Sequence, residues 1–210
     1  MLELSVRTLS LSHMPQKPVW VRLGYRESAA GRTEIPDSFT GLLGGFIADT
    51  RVRVFYVEKP FAVTPEGQLH IGEYRFASRL VSERFGHPSS VLVMGASALP
   101  EDADRVRRYQ ESGDLQRAVA LDAVLSEKVD FGLDFVEQEA GVELRRTGRT
   151  IGRRLSCGYG DFSLEHQKFF YNTLTFERYG IGINERHILT PEKTVTALLP
   201  IYSGERAVHD

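Results

Sequence analysis

The feature that most constrains this fold is one long stretch of helical periodicity near the middle of the chain. Gly113 interrupts the pattern before it, and Asp114 is a favourable N-cap, because its carboxylate accepts backbone N–H groups of a first turn. Apolar residues then recur at helical spacing and give one core stripe: Ala118, Leu125, Val129, Leu133 and Val136. The pattern predicts the longest helix of the chain over 115–140, ending at Gly141.

The other patterns predict a mixture of strands and helices that do not alternate regularly. Apolar runs and alternation predict strands at 2–11, 19–25, 51–58, 91–94, 181–183, 187–190 and 195–202. Helical spacing and capping residues predict helices at 38–49, 74–85, 100–112 and 164–174, whereas 28–33, 65–67 and 148–160 have the composition of loops and turns. This order favours an α+β fold over a doubly wound sheet, and we expect residues 1–210 to form one domain.

Composition narrows the classes of function. Hydrophobic residues make up 41% and charged residues 26% of the 210 residues, which is typical of a globular protein. The net charge of −2 gives no sign of a nucleic-acid binder. A single cysteine and scattered histidines do not predict a disulfide or a metal site. The N-terminus lacks the pattern of a signal peptide, and no apolar run is long enough to span a membrane, so we expect a cytoplasmic protein.

The most informative segment is Arg154-Leu-Ser-Cys-Gly158-Tyr159-Gly-Asp161. It resembles the Arg-x-x-x-Gly-Tyr motif of the activation domain of cobalamin-dependent methionine synthase, which forms the core of the S-adenosylmethionine site in that family. Further segments are similar to the short, stand-alone members of the family: 23–25, 121–124, 180–185 and 189–197. The resemblance covers most of the chain and is closer after residue 115 than before residue 90. It implies a single α+β domain with a central, mainly antiparallel twisted sheet flanked by helices.

The resemblance also implies a ligand site made by Arg154, Ser156, Gly158, Tyr159 and Glu137. A guanidinium holds a carboxylate well because it offers two parallel N–H donors, and Arg154 has that role. Ser156 is the small residue whose main chain meets the adenine, Gly158 lets the loop turn closely, and Tyr159 supplies a flat amphipathic wall. Glu137, from the long helix, complements the ammonium group of the ligand. No catalytic residue is expected, because the cobalt of cobalamin is the nucleophile.

Each of these residues has a purely structural alternative. Arg154 is one of five arginines in a basic stretch, and its alternative role is that of a surface side chain. Tyr159 fits a core tyrosine, and Gly158 fits an ordinary turn glycine. Cys157 fits a small buried side chain, although nearby arginines can also lower the pKa of a thiol. We expect structural roles for the two histidines closest to the motif in the sequence, His166 and His187.

Acidic residues recur along one face of the long helix, and their role is open from sequence. Glu127, Asp130, Asp134 and Glu137 are spaced at i, i+3, i+7 and i+10. A solvated helix surface is the simpler interpretation for the first three. Two ligand contacts of the larger family members have no clear match. Asp37 and Asp49 are the candidates for an N-terminal aspartate, and Tyr202 is the nearest residue to a late tyrosine.

The function that the resemblance implies is reactivation of oxidised cobalamin. This chain would bind S-adenosylmethionine as a separate subunit, while a methionine synthase core without its own activation domain holds the cobalamin. A flavodoxin-like or ferredoxin-like protein would supply the electron. Two alternatives keep the fold: a docking or S-adenosylmethionine-sensing module without catalysis, and reactivation of a different corrinoid methyltransferase. A Rossmann methyltransferase is a weaker rival, because the candidate loop at 91–97 contains one glycine.

Overall fold

The computed structural model describes residues 1–25 and 36–204, and the loop predicted at 28–33 lies outside them. The strands are β1 (Ser5–Leu9), β2 (Val52–Val63), β3 (Leu69–Ile71), β4 (Tyr74–Phe76), β5 (Ser90–Ala98), β6 (Arg149–Ile151), β7 (Gly182–Ile183), β8 (Leu189–Thr190) and β9 (Thr194–Ser203). The helices are α1 (Lys17–Arg22), α2 (Asp37–Asp49), α3 (Arg79–Phe85), α4 (Pro100–Glu111), α5 (Leu115–Arg145) and α6 (Gln167–Thr173), with 3₁₀ turns at Leu164–His166 and Phe176–Tyr179.

The centre of the fold is a seven-stranded sheet with the order β4-β3-β2-β5-β9-β6, and β1 pairs with β2. Each pair in it is antiparallel. In the middle, Met94 of β5 lies between Tyr56 of β2 and Ala197 of β9. The predicted α+β class with a mainly antiparallel sheet is therefore confirmed. The antiparallel order also excludes the doubly wound sheet of a Rossmann methyltransferase.

Both faces of the sheet are covered, because side chains alternate along each strand. Val54 points to a core shared with α2 and α5, and its neighbour Phe55 points to a second core shared with the C-terminal elements. All nine residues of β5 are buried, which fits a central strand. The strand predicted at 91–94 is longer in the structure. Gly95, Ala96, Ser97 and Ala98 extend the strand beyond Met94. Gly95 leaves room for the Phe176 ring, because a Cβ there would lie 2.8 Å from Phe176 Cζ.

The long helix begins where the sequence predicted it, with the Asp114 carboxylate accepting the Arg117 N–H at 3.1 Å. The predicted end at Gly141 is wrong, because α5 continues to Arg145. Gly141 lies against β6 instead, where a Cβ would be 3.1 Å from Ile151 Cδ1. A glycine inside a helix costs about 1 kcal/mol relative to alanine, and here it allows a strand to approach the helix closely.

Three other predictions are corrected. Residues 19–25 do not form a strand: α1 begins with Pro18 in its first turn, and Trp20 N–H donates to Gln16 O at 3.0 Å. The helix predicted at 74–85 starts late, because 74–76 form β4 and Ser78 caps α3 by accepting the Val81 N–H at 3.1 Å. The loop predicted at 148–160 contains β6, while the C-terminal strands form near their predicted places.

Within residues 1–25 and 36–204, no helix has both the length and the apolar character that a membrane crossing needs. This range includes α5, whose 31 residues are polar along one face.

Candidate functional site

The segment that carries Arg154 is held along the edge of β9. Gly152 N–H donates to Pro200 O at 2.9 Å, and Leu155 exchanges two bonds of 2.9 Å with Leu198. Hydrogen bonds on both sides of Arg154 thus fix its backbone. Because side chains alternate, Leu155 enters the second core and Arg154 points toward α5.

Gly152 allows this close approach, and replacing it should loosen the segment. A Cβ there would lie 2.7 Å from Pro200 Cγ and 3.1 Å from Tyr202 Cε2. We expect Gly152→Ala to lower the free energy of unfolding by about 1–3 kcal/mol, as overpacking does. Gly41→Ala in α2, with nothing within 4 Å, is the control and should be neutral or stabilising by up to about 1 kcal/mol. Equal effects of the two changes in chemical denaturation would contradict the close contact.

Arg154 forms ion pairs with two carboxylates of α5. Its Nη1 donates to Asp134 Oδ1 and, at 3.2 Å, to Glu137 Oε2. The side chain is 28% exposed, so it is not a free surface arginine. Burial opposes its charge, but Asp134 and Glu137 outweigh that effect and raise the pKa of Arg154 above its ordinary value. Both bonds use Nη1, and the described residues place no partner on Nε or Nη2. That edge offers two parallel N–H donors to a carboxylate.

The acidic face of α5 is a row of ion pairs. Arg22 of α1 pairs with Glu127 and, at 3.8 Å, with Asp130. Glu127 has 17% of its side chain exposed, so the solvated-surface interpretation is wrong for it. Burial, reinforced by the charge of Glu127, raises the pKa of Asp130. We call this set the acidic row; its members are Glu127, Asp130, Asp134 and Glu137 with Arg22 and Arg154. It has four carboxylates and two guanidinium groups, so its negative groups outnumber its positive groups.

Two surface clefts border this acidic row. One of about 700 Å³ is lined by residues that include Arg22 and Glu127. The other, of about 330 Å³, lies between α5 and β6 and is lined by Asp134, Glu137, Gln138, Arg145 and Ile151. Both clefts are open to solvent, and Arg154 lines neither of them.

After Arg154 the chain makes a tight turn that presents Tyr159. Gly158 has φ +94°, and its N–H donates to Phe162 O at 2.7 Å. The Phe162 N–H returns a bond of 3.0 Å to Tyr159 O, and the Phe162 ring is buried. Tyr159 is 65% exposed, so the core-tyrosine alternative is wrong. Gly158 is a turn glycine, as one interpretation had it, and Ser156 is half-buried between Arg154 and this turn.

Asp161 is a residue of this turn that the sequence analysis missed. Its carboxylate accepts hydrogen bonds from Ser78 Oγ at 2.8 Å, Arg79 N–H at 2.6 Å and Leu80 N–H at 3.1 Å. These bonds lower the pKa of Asp161 below its ordinary value. The partners lie about eighty positions earlier in the chain, so local sequence carries no signal for the contact.

Two of the other candidate residues are engaged in structural contacts. Asp49 pairs with Arg105 at 2.9 Å, and the Tyr202 hydroxyl donates to Phe85 O at 2.8 Å. Asp37 lies in the first turn of α2.

Cys157 is buried, as one interpretation predicted. Burial raises the pKa of its thiol to about 11, so the alternative of a lowered pKa is wrong. His166 accepts or donates a 2.8 Å bond with the Tyr74 hydroxyl and stacks on Phe162, which fits a structural role.

Two of the segments that carried the sequence resemblance, 121–124 and 189–197, meet in space. Lys193, after β8, pairs with Asp122 near the start of α5 at 2.9 Å. In residues 1–25 and 36–204, no group of three potential metal ligands comes together.

Comparisons with known proteins agree with this architecture. No known protein family and no curated protein matches the chain by sequence. A solved structure, the MetH reactivation domain bound to AdoHcy, is similar to it with a TM-score of 0.72 and 9% sequence identity. The similarity covers 98% of this chain and 81% of that domain. At this identity the likeness concerns the fold alone, and it confirms the fold that the sequence resemblance predicted: this chain is built like the reactivation domain of MetH.

Proposed function

We propose that this chain binds S-adenosylmethionine on the acidic row beside Arg154. The observation that carries the proposal is the Arg154 guanidinium, which Asp134 and Glu137 hold through Nη1 while its other edge stays open. The similar solved domain is described as bound to AdoHcy, which differs from S-adenosylmethionine by one methyl group. A shared fold at 9% identity supports a shared ligand class without establishing it.

The donor set fits the chemical groups of this ligand. The Nε–Nη2 edge of Arg154 suits the α-carboxylate, and Glu137 suits the ammonium group at the same end. The exposed ring of Tyr159 and the main chain at Ser156 suit the adenine, with Gly158 allowing close approach. The excess negative charge of the acidic row suits a ligand that carries both a sulfonium and an ammonium.

The biological role we propose is reactivation of cob(II)alamin as a separate subunit. The partner is a methionine synthase core that lacks its own activation domain, and a flavodoxin-like or ferredoxin-like protein gives the electron. S-adenosylmethionine supplies the methyl group. The residues of this chain bind and orient that donor, a contribution that can be worth several kcal/mol of barrier. We further propose that residues 1–210 act as one domain in the cytoplasm.

A second function keeps the binding surface without the transfer. The structure engages Asp49 and Tyr202 in contacts with Arg105 and Phe85, so Asp37 is the remaining candidate for the N-terminal aspartate of the family. This favours a module that senses S-adenosylmethionine or docks on a corrinoid protein. A different corrinoid methyltransferase as partner is a further variant of the main proposal. Turnover with a purified methionine synthase core, in the presence and absence of this chain, separates these functions.

Arg154→Ala should weaken S-adenosylmethionine binding about ten- to a hundredfold. The loss of a charge-assisted hydrogen bond to a carboxylate costs roughly 1.5–3 kcal/mol. Isothermal titration calorimetry of S-adenosylmethionine into wild-type and variant protein measures the change. Arg153→Ala is a matched control. Arg153 is exposed, and its substitution removes the same charge from the neighbouring position.

The control should keep its affinity to within about twofold. If both variants lose affinity equally, only the net charge of the segment matters and the assigned role of Arg154 is wrong. If the wild-type chain does not bind S-adenosylmethionine, alone or with a methionine synthase core, the proposed function fails.

A further inference from the structure

The position of the Tyr159 ring depends on its backbone. With 65% of the residue exposed, neighbouring side chains do not enclose the ring. The turn around it is closed by the two bonds between the Gly158–Tyr159 pair and Phe162. These bonds define the shape of the turn, but they do not attach it to the rest of the molecule.

The buried side chains of Cys157 and Phe162 attach the turn to the second core, and Asp161 adds a polar attachment to α3. Its carboxylate binds three donors at the start of α3: the Ser78 hydroxyl and the N–H groups of Arg79 and Leu80. Ser78 is itself buried and caps α3 by accepting the Val81 N–H. The preceding residue, Gly160, lies so close that a Cβ would be 3.1 Å from Leu80 Cδ2.

The ionised form of Asp161 is the form that the contact needs. The bonds from Ser78, Arg79 and Leu80 lower its pKa, so the carboxylate stays charged at neutral pH. Hydrogen bonds to a charged acceptor are roughly twice as strong as neutral ones. Ser78 is buried, which gives the carboxylate a rigid partner.

We propose that Asp161 is a positioning residue of the candidate site: it clamps the 157–162 turn to the start of α3 and thereby sets the place and direction from which the Tyr159 side chain leaves the backbone. The Leu155–Leu198 bridge holds the chain just before the turn, and Asp161 holds it near the end of the turn. The effect of Asp161 on S-adenosylmethionine binding rests on the proposed function, whereas its effect on hydrogen exchange in the ligand-free protein does not.

Amide hydrogen exchange in the ligand-free protein tests the clamp directly. We expect Asp161→Asn to speed exchange in a peptide covering 157–163 about tenfold or more, because a turn released from α3 opens its own Gly158 and Phe162 N–H bonds more often. Peptides from β5 should be unchanged. Asp104→Asn, an exposed carboxylate paired with Arg107, is the matched control and should leave 157–163 unchanged. Unchanged exchange at 157–163 in Asp161→Asn overturns the proposal.

A double-mutant cycle tests whether Asp161 acts through Tyr159. We expect Asp161→Asn to weaken S-adenosylmethionine binding about five- to tenfold in the wild-type background and less than twofold in Tyr159→Ala. If Asp161→Asn lowers the affinity equally in both backgrounds, Asp161 does not act through the Tyr159 ring. A general loss of structure would lower the affinity whether or not the ring is present. Absence of binding by the wild type refutes the proposed function instead, and the exchange experiment then decides the clamp by itself.

Discussion

Glu58→Ala is expected to lower the free energy of unfolding by about 3–5 kcal/mol, the usual cost of removing one partner from a buried ion pair. The Glu58 side chain is 1% exposed and pairs with Arg149 at 2.7 Å. It also accepts bonds from Ser90 Oγ at 2.6 Å and from Leu2 N–H at 2.9 Å. One carboxylate therefore joins β2, β5, β6 and the N-terminus, and its loss leaves the Arg149 charge without a partner.

The pH dependence of this contribution has a defined sign. Burial alone would raise the pKa of Glu58, but the bonds from Ser90, Leu2 and Arg149 outweigh it and lower the pKa below the ordinary value of 4.5. A carboxyl with a lowered folded pKa stabilises fully above its unfolded pKa and loses that effect as the pH falls through the folded value. The gap between wild type and Glu58→Ala should thus shrink below about pH 4.5.

Urea denaturation at pH 7 and at lower pH measures both quantities. Glu73→Ala, at an exposed position in the turn between β3 and β4, is the control and should change stability by less than about 0.5 kcal/mol. A Glu58→Ala effect as small as that of the control would show that the ion pair does not hold the sheet edge.

Lys128→Met should destabilise the protein more strongly at high pH than at pH 7. Lys128 is fully buried in α5, and its ammonium donates to Ile47 O and Thr50 O, both at 2.6 Å, at the end of α2. Removing it leaves these carbonyls without their donor, which costs about 1–3 kcal/mol for each buried group. Burial lowers the pKa of Lys128 from 10.5 to about 8.

The lowered pKa determines the sign of the pH effect. Between about pH 8 and 10.5 the unfolded chain binds more protons at this site than the folded chain, so wild-type stability rises with pH there. We expect the stability gap between wild type and Lys128→Met to widen by about 3 kcal/mol from pH 7 to 10.5. Other lysines and tyrosines titrate in both proteins and cancel in the difference.

Lys168→Met, at an exposed lysine of α6, is the matched control and should show a constant gap across this range. A constant gap for Lys128→Met as well would mean that the folded protein holds Lys128 with an ordinary pKa. Guanidinium denaturation at several pH values provides the measurement.

Local sequence was enough to predict some residues of the candidate site but not others. The segment from Arg154 to Tyr159 could be identified because the order of residue types is contiguous, and Glu137 was implied by the family resemblance together with the position of the long helix. The contact between Arg154 and Glu137 joins residues 17 positions apart on different elements, so only the folded chain shows it. Asp161 was missed because its partners start another helix, where no local pattern refers to the motif.

The sequence by itself determined the elements whose signals are local. The Asp114 cap and the apolar stripe specified α5, and the mixed order of elements specified the α+β class. Tertiary structure decided the rest. Residues 19–25 contain β-branched and aromatic side chains that favour a strand, yet they lie in or just after α1. Gly141 was expected to end a helix, yet it remains inside one because Ile151 occupies the space that a side chain would take. In both places the free energy of packing against a distant element exceeds the small local preference, and only the folded chain brings that element near.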